Sequence, residues 1–276
     1  MIIDFRVRAP FPAYAASPLF THLDAVERDT RTRVDVPSPA SARAFSLDLL
    51  LREADEAGVD KLVVPVRKAA GGRNEDLVAL LQRHPDRLIG LAGIEVYDMT
   101  RALEEVAAFA VDGPCRGIVL EPGQDKTPWM VNAPWVYPLY AYCQEREVPV
   151  ALTYGGIMTP SLRHYAPEAV DDVAAAFPRL NLALVHGGWP YVTEACQIAL
   201  NRRNVYLAPD IYMVRSPGMA EYVTAASHLL RDRVIFASAY PILPLREARL
   251  AYEQSGVRPE ALPLLMGGNA ARFLKL

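Results

Sequence analysis

Short apolar runs alternate with longer amphipathic stretches along the whole chain. Runs rich in β-branched residues and leucine, bounded by polar or turn residues, are typical of buried parallel strands. Eight segments fit this pattern: MIIDFRV (1–7), VDKLVVPV (59–66), RLIGLAGIEV (87–96), RGIVLE (116–121), VPVALTY (148–154), LNLALVH (180–186), NVYLAPD (204–210) and RVIFAS (233–238). The stretches between them have helical spacing. The first, residues 41–58, predicts a helix capped by Ser41 and ended by Gly58.

This regular alternation of strand and helix predicts a (β/α)8 TIM barrel that occupies residues 1–276 as one domain. A doubly wound open sheet is the alternative, but such sheets usually have fewer strands. One segment departs from the short connections. Residues 9–40 form a long, Pro-rich insert after the first strand. Inserts of this length commonly act as lids or interface segments, or are disordered.

The active site of such a barrel lies at the carboxyl ends of its strands. Arg6 and Arg8 stand there and share one face, because strand side chains alternate with a period of two. The other polar or aromatic residues at predicted strand ends are Glu95, Tyr97, Glu121, Thr153, Tyr154, His186, Asp210, Tyr212, Ser238 and Tyr240. Trp129, in the loop after the fourth strand, is a further candidate for the pocket wall.

Composition narrows the function classes. The net charge is −3, which gives no indication of nucleic acid or an anionic membrane as partner. No apolar run approaches the roughly 18 residues of a membrane span, and the start of the chain lacks the pattern of a signal peptide. Three scattered cysteines, Cys115, Cys143 and Cys196, fit buried residues in a reducing cytoplasm better than a disulfide framework.

Several segments together resemble the amidohydrolase-related family of barrel enzymes, which includes decarboxylases, lactonases and isomerases. The likeness runs in the right order through IID, WVYPLYAYCQEREVPVAL, AFPRLNLALVHGGWPYV, NVYLAPDIY, DRVIFASAYP and GGNAARFL. It implies a barrel whose active site is at the strand ends. It also implies that His186 acts as an acid or base, or polarises the substrate.

Four positions depart from the family's metal-dependent pattern. Arg6 and Arg8 stand where those members have the histidines of Asp-x-His-x-His. Thr153 stands in place of a histidine, and Ala239 in place of the aspartate of Ser-Asp-Tyr-Pro. A guanidinium stays protonated and has no free lone pair, so it does not ligate a cation. These four departures therefore predict that the family's metal site is absent, and no other cofactor is expected.

A relocated metal site made from His186, His164 and Asp210 is the remaining alternative, although these residues lack a familiar ligand spacing. Without a metal, we expect Arg6 and Arg8 to bind a substrate carboxylate and His186 to transfer a proton. Glu121 and Asp210 either orient an arginine or supply a second base.

The remaining candidates are assigned to substrate binding. Tyr154 and Tyr240 are possible donors to an oxyanion, and Thr153 and Trp129 are expected to line the pocket. The main hypothesis is a metal-independent enzyme acting on a small carboxylated substrate, by hydrolysis of a lactone or amide bond or by isomerisation or dehydration through an enolate.

Two alternatives remain open at this point. One is a metal-independent decarboxylase, and another is a non-catalytic protein that binds an anion or a partner. In the latter case, Arg6 and Arg8 would be an internal brace paired with carboxylates such as Glu121, Asp210 or Glu95. A homodimer or larger homo-oligomer is compatible with each of these hypotheses.

Overall fold

The computed structural model describes residues 1–29, 35–156 and 161–276. Its strands are β1 (Ile3–Asp4), β2 (Lys61–Pro65), β3 (Leu88–Gly93), β4 (Ile118–Leu120), β5 (Val150–Thr153), β6 (Leu182–Val185) and β7 (Val205–Ala208). They pair in parallel in chain order, as a single curled sheet among the described residues. The predicted α/β barrel is therefore confirmed.

Helices lie between successive strands and cover the outside of the sheet. The α-helices are α1 (Pro18–Thr21), α2 (Leu23–Arg28), α3 (Ala40–Arg43), α4 (Leu47–Glu56), α5 (Asn74–Arg83), α6 (Met99–Val106), α7 (Tyr137–Glu145), α8 (Pro167–Ala176), α9 (Val192–Asn201), α10 (Met219–Ser227), α11 (Leu245–Glu253) and α12 (Asn269–Leu274). Short 3-10 or π turns span Pro12–Tyr14, Lys68–Ala70, Ala107–Val111, Pro134–Val136, Leu162–Tyr165, Asp210–Met213 and Leu264–Gly268.

The barrel is closed by an irregular segment, residues 233–240, where the eighth strand was predicted. This closing segment forms isolated bridges, Leu207 to Val234 on one side and Val7 to Tyr240 on the other. It does not form a continuous ladder because two of its amides bond elsewhere. Phe236 N donates to the Leu265 carbonyl, and Ser238 N donates to the Asp4 carboxylate at 2.9 Å.

Two separate apolar clusters follow from the alternation of side chains along the strands. The inner cluster fills the barrel and includes Phe5, Val119, Ala151 and Tyr206. Phe273 of α12 closes its lower end, with edge contacts to the rings of Phe5 and Tyr206 at centroid distances of 5.3 and 5.4 Å. The other strand residues point outward and pack under the helices.

The helix predicted over residues 41–58 is divided into α3 and α4. Phe45 has a φ of 46°, in the left-handed region, and interrupts the helix there. Ser46 caps α4, since its side chain accepts a hydrogen bond from Leu49 N. Ser41, the predicted cap, instead binds Glu53 of α4 through its amide and hydroxyl groups. Gly58 follows the helix with a φ of 62°, as expected for a helix stop.

The described part of the insert packs on the barrel mouth. Phe11 and Tyr14 are buried, and the Tyr14 hydroxyl donates to the Pro65 carbonyl at the end of β2 at 2.7 Å. Residues 30–34 of the insert lie outside the described residues. In the part of the chain that is described, no helix is both long and apolar enough to cross a membrane.

Asn269 ties α12 to the closing segment. Its buried side-chain amide donates to the carbonyls of Arg231 (2.9 Å) and Val234 (2.7 Å). We expect Asn269→Ala to lower the free energy of unfolding by about 1–3 kcal/mol, because buried acceptors lose their donors. Urea denaturation measures the change. Asn201→Ala, at the exposed end of α9, is the control and should shift it by less than about 0.5 kcal/mol. Equal losses in both variants would contradict this role of Asn269.

Candidate active site

Three polar side chains reach the barrel mouth because they continue the inward face of their strands. Glu121 lies two residues after the inward Val119, and Thr153 two residues after Ala151. Arg67 stands in the same relation to Pro65, and Pro65, Arg67 and Thr153 line one small cavity. The sequence did not predict Arg67 as a site residue, because the predicted strand ends at Val66. Extending the period of two by one residue would have found it.

Arg6 reaches this cavity through a bend in the chain. The backbone bends at Phe5, so the strict alternation ends there and both Phe5 and Arg6 line the cavity. The cavity has room for roughly one water molecule and lies between Arg6, Arg67 and Thr153. Arg6 and Arg67 therefore border the same narrow space at the base of the mouth.

Left-handed backbone turns redirect the residues at three neighbouring strand ends. His186 has a φ of 70°, Asp210 of 46° and Ala239 of 56°. Each such residue costs about 1–3 kcal/mol of conformational strain, which typically persists where function requires it. His186 follows the inward Val185, so simple alternation would turn its ring outward. The left-handed turn, continued by Gly187 and Gly188, changes its direction.

His186 and Asp210 form a buried pair. The imidazole Nδ1 lies 2.8 Å from Asp210 Oδ2, within ion-pair distance but without the alignment of a full hydrogen bond. The ring packs edge-on against Tyr212, at a centroid distance of 5.5 Å. A Cβ added at Gly156 would lie 3.2 Å from this ring, so the glycine permits close approach of the loop after β5. These contacts fix the plane of the imidazole and direct Nδ1 to Asp210.

The pKa of His186 is lowered to about 4, mainly by burial. Positive charge on Arg6 and Arg8 contributes to this lowering, whereas the Asp210 carboxylate opposes it. The imidazole is therefore neutral at pH 7, and with Nδ1 facing Asp210, Nε2 is the nitrogen left to accept a proton.

Arg6 and Arg8 are buried without a carboxylate partner among the described residues. Arg8 Nη1 donates to the main-chain carbonyls of Ala239 (2.7 Å) and Tyr240 (3.2 Å), and Arg8 Nε has no partner. The Arg6 guanidinium makes no hydrogen bond to any described residue, and its Nε is fully buried. The alternative of an internal brace paired with Glu121, Asp210 or Glu95 does not match these contacts.

The two guanidinium groups also repel each other. The pKa of Arg8 is lowered to about 9, mainly by burial and additionally by the charges of Arg6 and Arg67. Burial likewise lowers the pKa of Arg6, although Asp210 opposes that shift. An anion between these cations would relieve both the repulsion and the loss of hydration.

Glu121 has a different partner from the one expected. Its Oε1 accepts from Arg67 Nε at 2.5 Å, and Gln124 accepts from Arg67 Nη2 at 2.6 Å. Burial alone would lower the pKa of Arg67, but the Glu121 carboxylate outweighs this and raises it. Tyr14 from the insert lies close enough to Arg6, Arg8 and Arg67 for their charges to act on its phenol. Sequence reasoning missed Tyr14, because nothing in a loop of unknown path marks it.

Five of the residues proposed for the mouth lie away from it. The Tyr154 hydroxyl donates to the Ala166 carbonyl at 2.7 Å, and Tyr240 contacts Ser41, so both rings belong to the outer cluster. Trp129 packs against Trp135 and binds Asp125. Tyr97 is exposed and stacks on Trp135. Glu95 is exposed as well. These contacts place none of the five residues beside Arg6 or His186.

The side chains at the four ligand positions do not fit the divalent cation of the family's metal-dependent members. Arg6, Arg8, Thr153 and Ala239 offer neither an imidazole nor a carboxylate. No group of three or more His, Cys, Asp or Glu side chains is arranged to hold a metal ion in the described parts of the chain. His164, in the turn before α8, does not join His186 and Asp210 in such a group.

The comparisons with known proteins agree with this architecture. A sequence model described as "Amidohydrolase" matches residues 21–276. An uncharacterized TIM-barrel protein from Bordetella bronchiseptica is 34% identical, over 99% of this chain and 98% of that chain, with a TM-score of 0.93.

Two more distant structures are similar in fold. A 5-carboxyvanillate decarboxylase from Sphingomonas paucimobilis is 17% identical over 100% of this chain and 99% of that chain, with a TM-score of 0.70. A 4-oxalomesaconate hydratase from Rhodopseudomonas palustris is 20% identical, over 100% of this chain and 96% of that chain, with a TM-score of 0.67. At these identities the likeness concerns the fold alone.

The electrostatic environment of His186 gives a direct prediction. Its imidazole should stay neutral until the pH falls through about 4. Arg6→Gln removes a repelling positive charge and should raise the pKa of His186, whereas Asp210→Asn removes the attracting carboxylate and should lower it. NMR titration of the imidazole measures both shifts. Shifts of the same sign in the two variants would contradict the arrangement.

Proposed function

Because the chain belongs to the amidohydrolase family, we propose that its barrel mouth is the active site of an enzyme that works without a metal. The substrate is a small carboxylate bound by Arg6 and Arg8. His186, paired with Asp210, transfers the proton. The reaction is hydrolysis of a lactone or amide bond, or isomerisation or dehydration through an enolate.

One observation carries this proposal: the buried guanidinium of Arg6 has no protein acceptor among the described residues. Buried donors are nearly always hydrogen-bonded, and an unpaired buried charge is costly. Arg8 is held by neutral carbonyls, so it also keeps its charge for an anion. Each guanidinium offers a planar pair of donors that matches a carboxylate.

The number of donors also restricts the substrate. A guanidinium carries about five N–H groups, whereas a carboxylate offers about four acceptor positions. Arg6 and the unused nitrogens of Arg8 together exceed what one carboxylate accepts. We therefore expect a second oxygen group on the substrate, either another carboxylate or the carbonyl that becomes an oxyanion during the reaction.

The proton transfer follows from the state of His186. Its neutral Nε2 removes a proton from water that attacks the lactone or amide carbonyl, or from a carbon next to a carboxylate. The resulting imidazolium is stabilised by Asp210, 2.8 Å away. Negative charge that develops on the substrate oxygen is stabilised by the guanidinium groups. The imidazolium then returns the proton to the leaving group or to the neighbouring carbon.

Decarboxylation is less well supported by this geometry. The 5-carboxyvanillate decarboxylase has the same fold. In the present site, however, Arg6 and Arg8 stabilise a bound carboxylate more than the neutral carbon dioxide that would leave, which raises the barrier. A protein that only binds an anion would use Arg6 and Arg8 but would not require His186. The requirement for His186 therefore distinguishes the enzyme from such a protein.

Carboxylate binding is tested with malonate by isothermal titration calorimetry. Arg6→Lys and Arg8→Lys should each weaken binding by about 10–100-fold, because lysine lacks the planar fork and a lost charged hydrogen bond costs about 1.5–3 kcal/mol. Arg73→Lys, at an exposed position before α5, is the matched control and should bind like the unmodified protein. Equal affinity in all three variants would exclude Arg6 and Arg8 as the anion site.

Catalysis is tested with a panel of carboxylated lactones, assayed in excess EDTA, which should have no effect. On a substrate found in this way, His186→Asn should reduce turnover by about 10²–10⁴-fold, because general-base catalysis is lost. Its circular dichroism spectrum should match that of the unmodified protein. His84→Asn, beyond α5, is the control. Normal turnover in His186→Asn would remove this residue from the mechanism.

A further inference from the structure

We propose that Tyr240, Ser41 and Glu53 are positioning residues that fix the guanidinium of Arg8 from outside the barrel. This inference rests on the proposed carboxylate site, in which Arg8 binds the substrate. It gives a role to a buried polar chain that none of the catalytic steps uses.

The chain begins at the carbonyls that hold Arg8. The Tyr240 carbonyl accepts from Arg8 N at 3.1 Å and from Arg8 Nη1 at 3.2 Å, and the adjacent Ala239 carbonyl accepts from Arg8 Nη1 at 2.7 Å. These carbonyls lie in the irregular closing segment. The isolated bridge of Val7 to Tyr240 and a bond of 2.9 Å from Tyr240 N to Ser238 Oγ hold this stretch locally, and Ala239 itself is in the left-handed region. Because the described residues form no continuous ladder here, a side-chain anchor adds to the fixing of this main chain.

The side chain of Tyr240 provides that anchor. The ring is fully buried between the barrel and the helices, and its hydroxyl lies 2.6 Å from Ser41 Oγ. Ser41 is fully buried too, and it donates its hydroxyl and its amide to the two carboxylate oxygens of Glu53. Because the Ser41 proton goes to Glu53, the Tyr240 hydroxyl is the donor to Ser41.

The chain connects the mouth to the insert. Ser41 belongs to α3, directly after the insert, and Glu53 belongs to α4. Glu53 also lines a surface cavity with Pro39 and Pro244, so this end of the chain reaches solvent. The hydrogen bond between the Tyr240 hydroxyl and Ser41 thus links the position of α3 to the carbonyls that orient Arg8.

The test compares two buried tyrosines whose hydroxyls each make one hydrogen bond. Tyr240→Phe removes the contact to Ser41, and Tyr140→Phe removes a bond of 2.9 Å to the Val131 carbonyl, in the outer cluster around α7. Both should lower the melting temperature to a similar extent. Only Tyr240→Phe should weaken malonate binding, by about three- to tenfold, measured by calorimetry. Ser41→Ala should weaken it similarly, and the double variant should be no worse than the stronger single one.

A second measurement needs no ligand. In ¹⁵N NMR spectra, the Arg8 Nε signal should shift and broaden in Tyr240→Phe and in Ser41→Ala, but not in Tyr140→Phe. An unchanged Arg8 signal in both variants, or equal changes in Tyr140→Phe, would overturn the positioning role. If Tyr240→Phe does not fold, Ser41→Ala decides the outcome. Failure of the unmodified protein to bind malonate would instead count against the proposed function, while the Arg8 signal would still decide the positioning role.

Discussion

The architecture of the mouth depends on the cost of burying a guanidinium without an acceptor. Arg6 is 3% exposed, and its guanidinium makes no hydrogen bond to any described residue. Such a group is tolerated only where the surrounding fold is stable enough to hold it. The barrel meets this condition through its packed inner cluster, which ends at Phe5, directly beside Arg6.

The neighbouring charges make this arrangement specific. Each carboxylate in the mouth has a different partner, since Asp4 accepts main-chain amides, Glu121 holds Arg67, and Asp210 faces His186. The pKa of Asp4 is raised to about 6, mainly by burial, and its Oδ1 already accepts from the main-chain amides of Arg6 and Ser238. This division of contacts leaves Arg6 and Arg8 without an ion pair to a carboxylate of the described residues, and their positive charge adds to the burial that keeps His186 neutral.

Periodic features of the chain were predictable, and local exceptions were not. The strand positions and the inward direction of Thr153 and Glu121 follow from alternation, which the sequence displays directly. Alternation also places the Tyr154 ring outside, contrary to its predicted role in substrate binding. The position of His186 depends on a left-handed residue, and the division of the helix at Phe45 depends on another. Neither residue is a glycine, so no sequence signal marked these turns.

The left-handed residues His186, Asp210 and Ala239 have a consequence for how the site tolerates change. Elsewhere in the barrel, the inward or outward direction of a side chain ties its chemistry to the packing of a core. At these three positions the backbone, not the alternation, sets the direction of the side chain. The type of side chain at these positions is therefore independent of the packing in the barrel interior. New reactivity can be introduced there by exchanging side chains that accept this conformation, while the packed scaffold beneath keeps its shape.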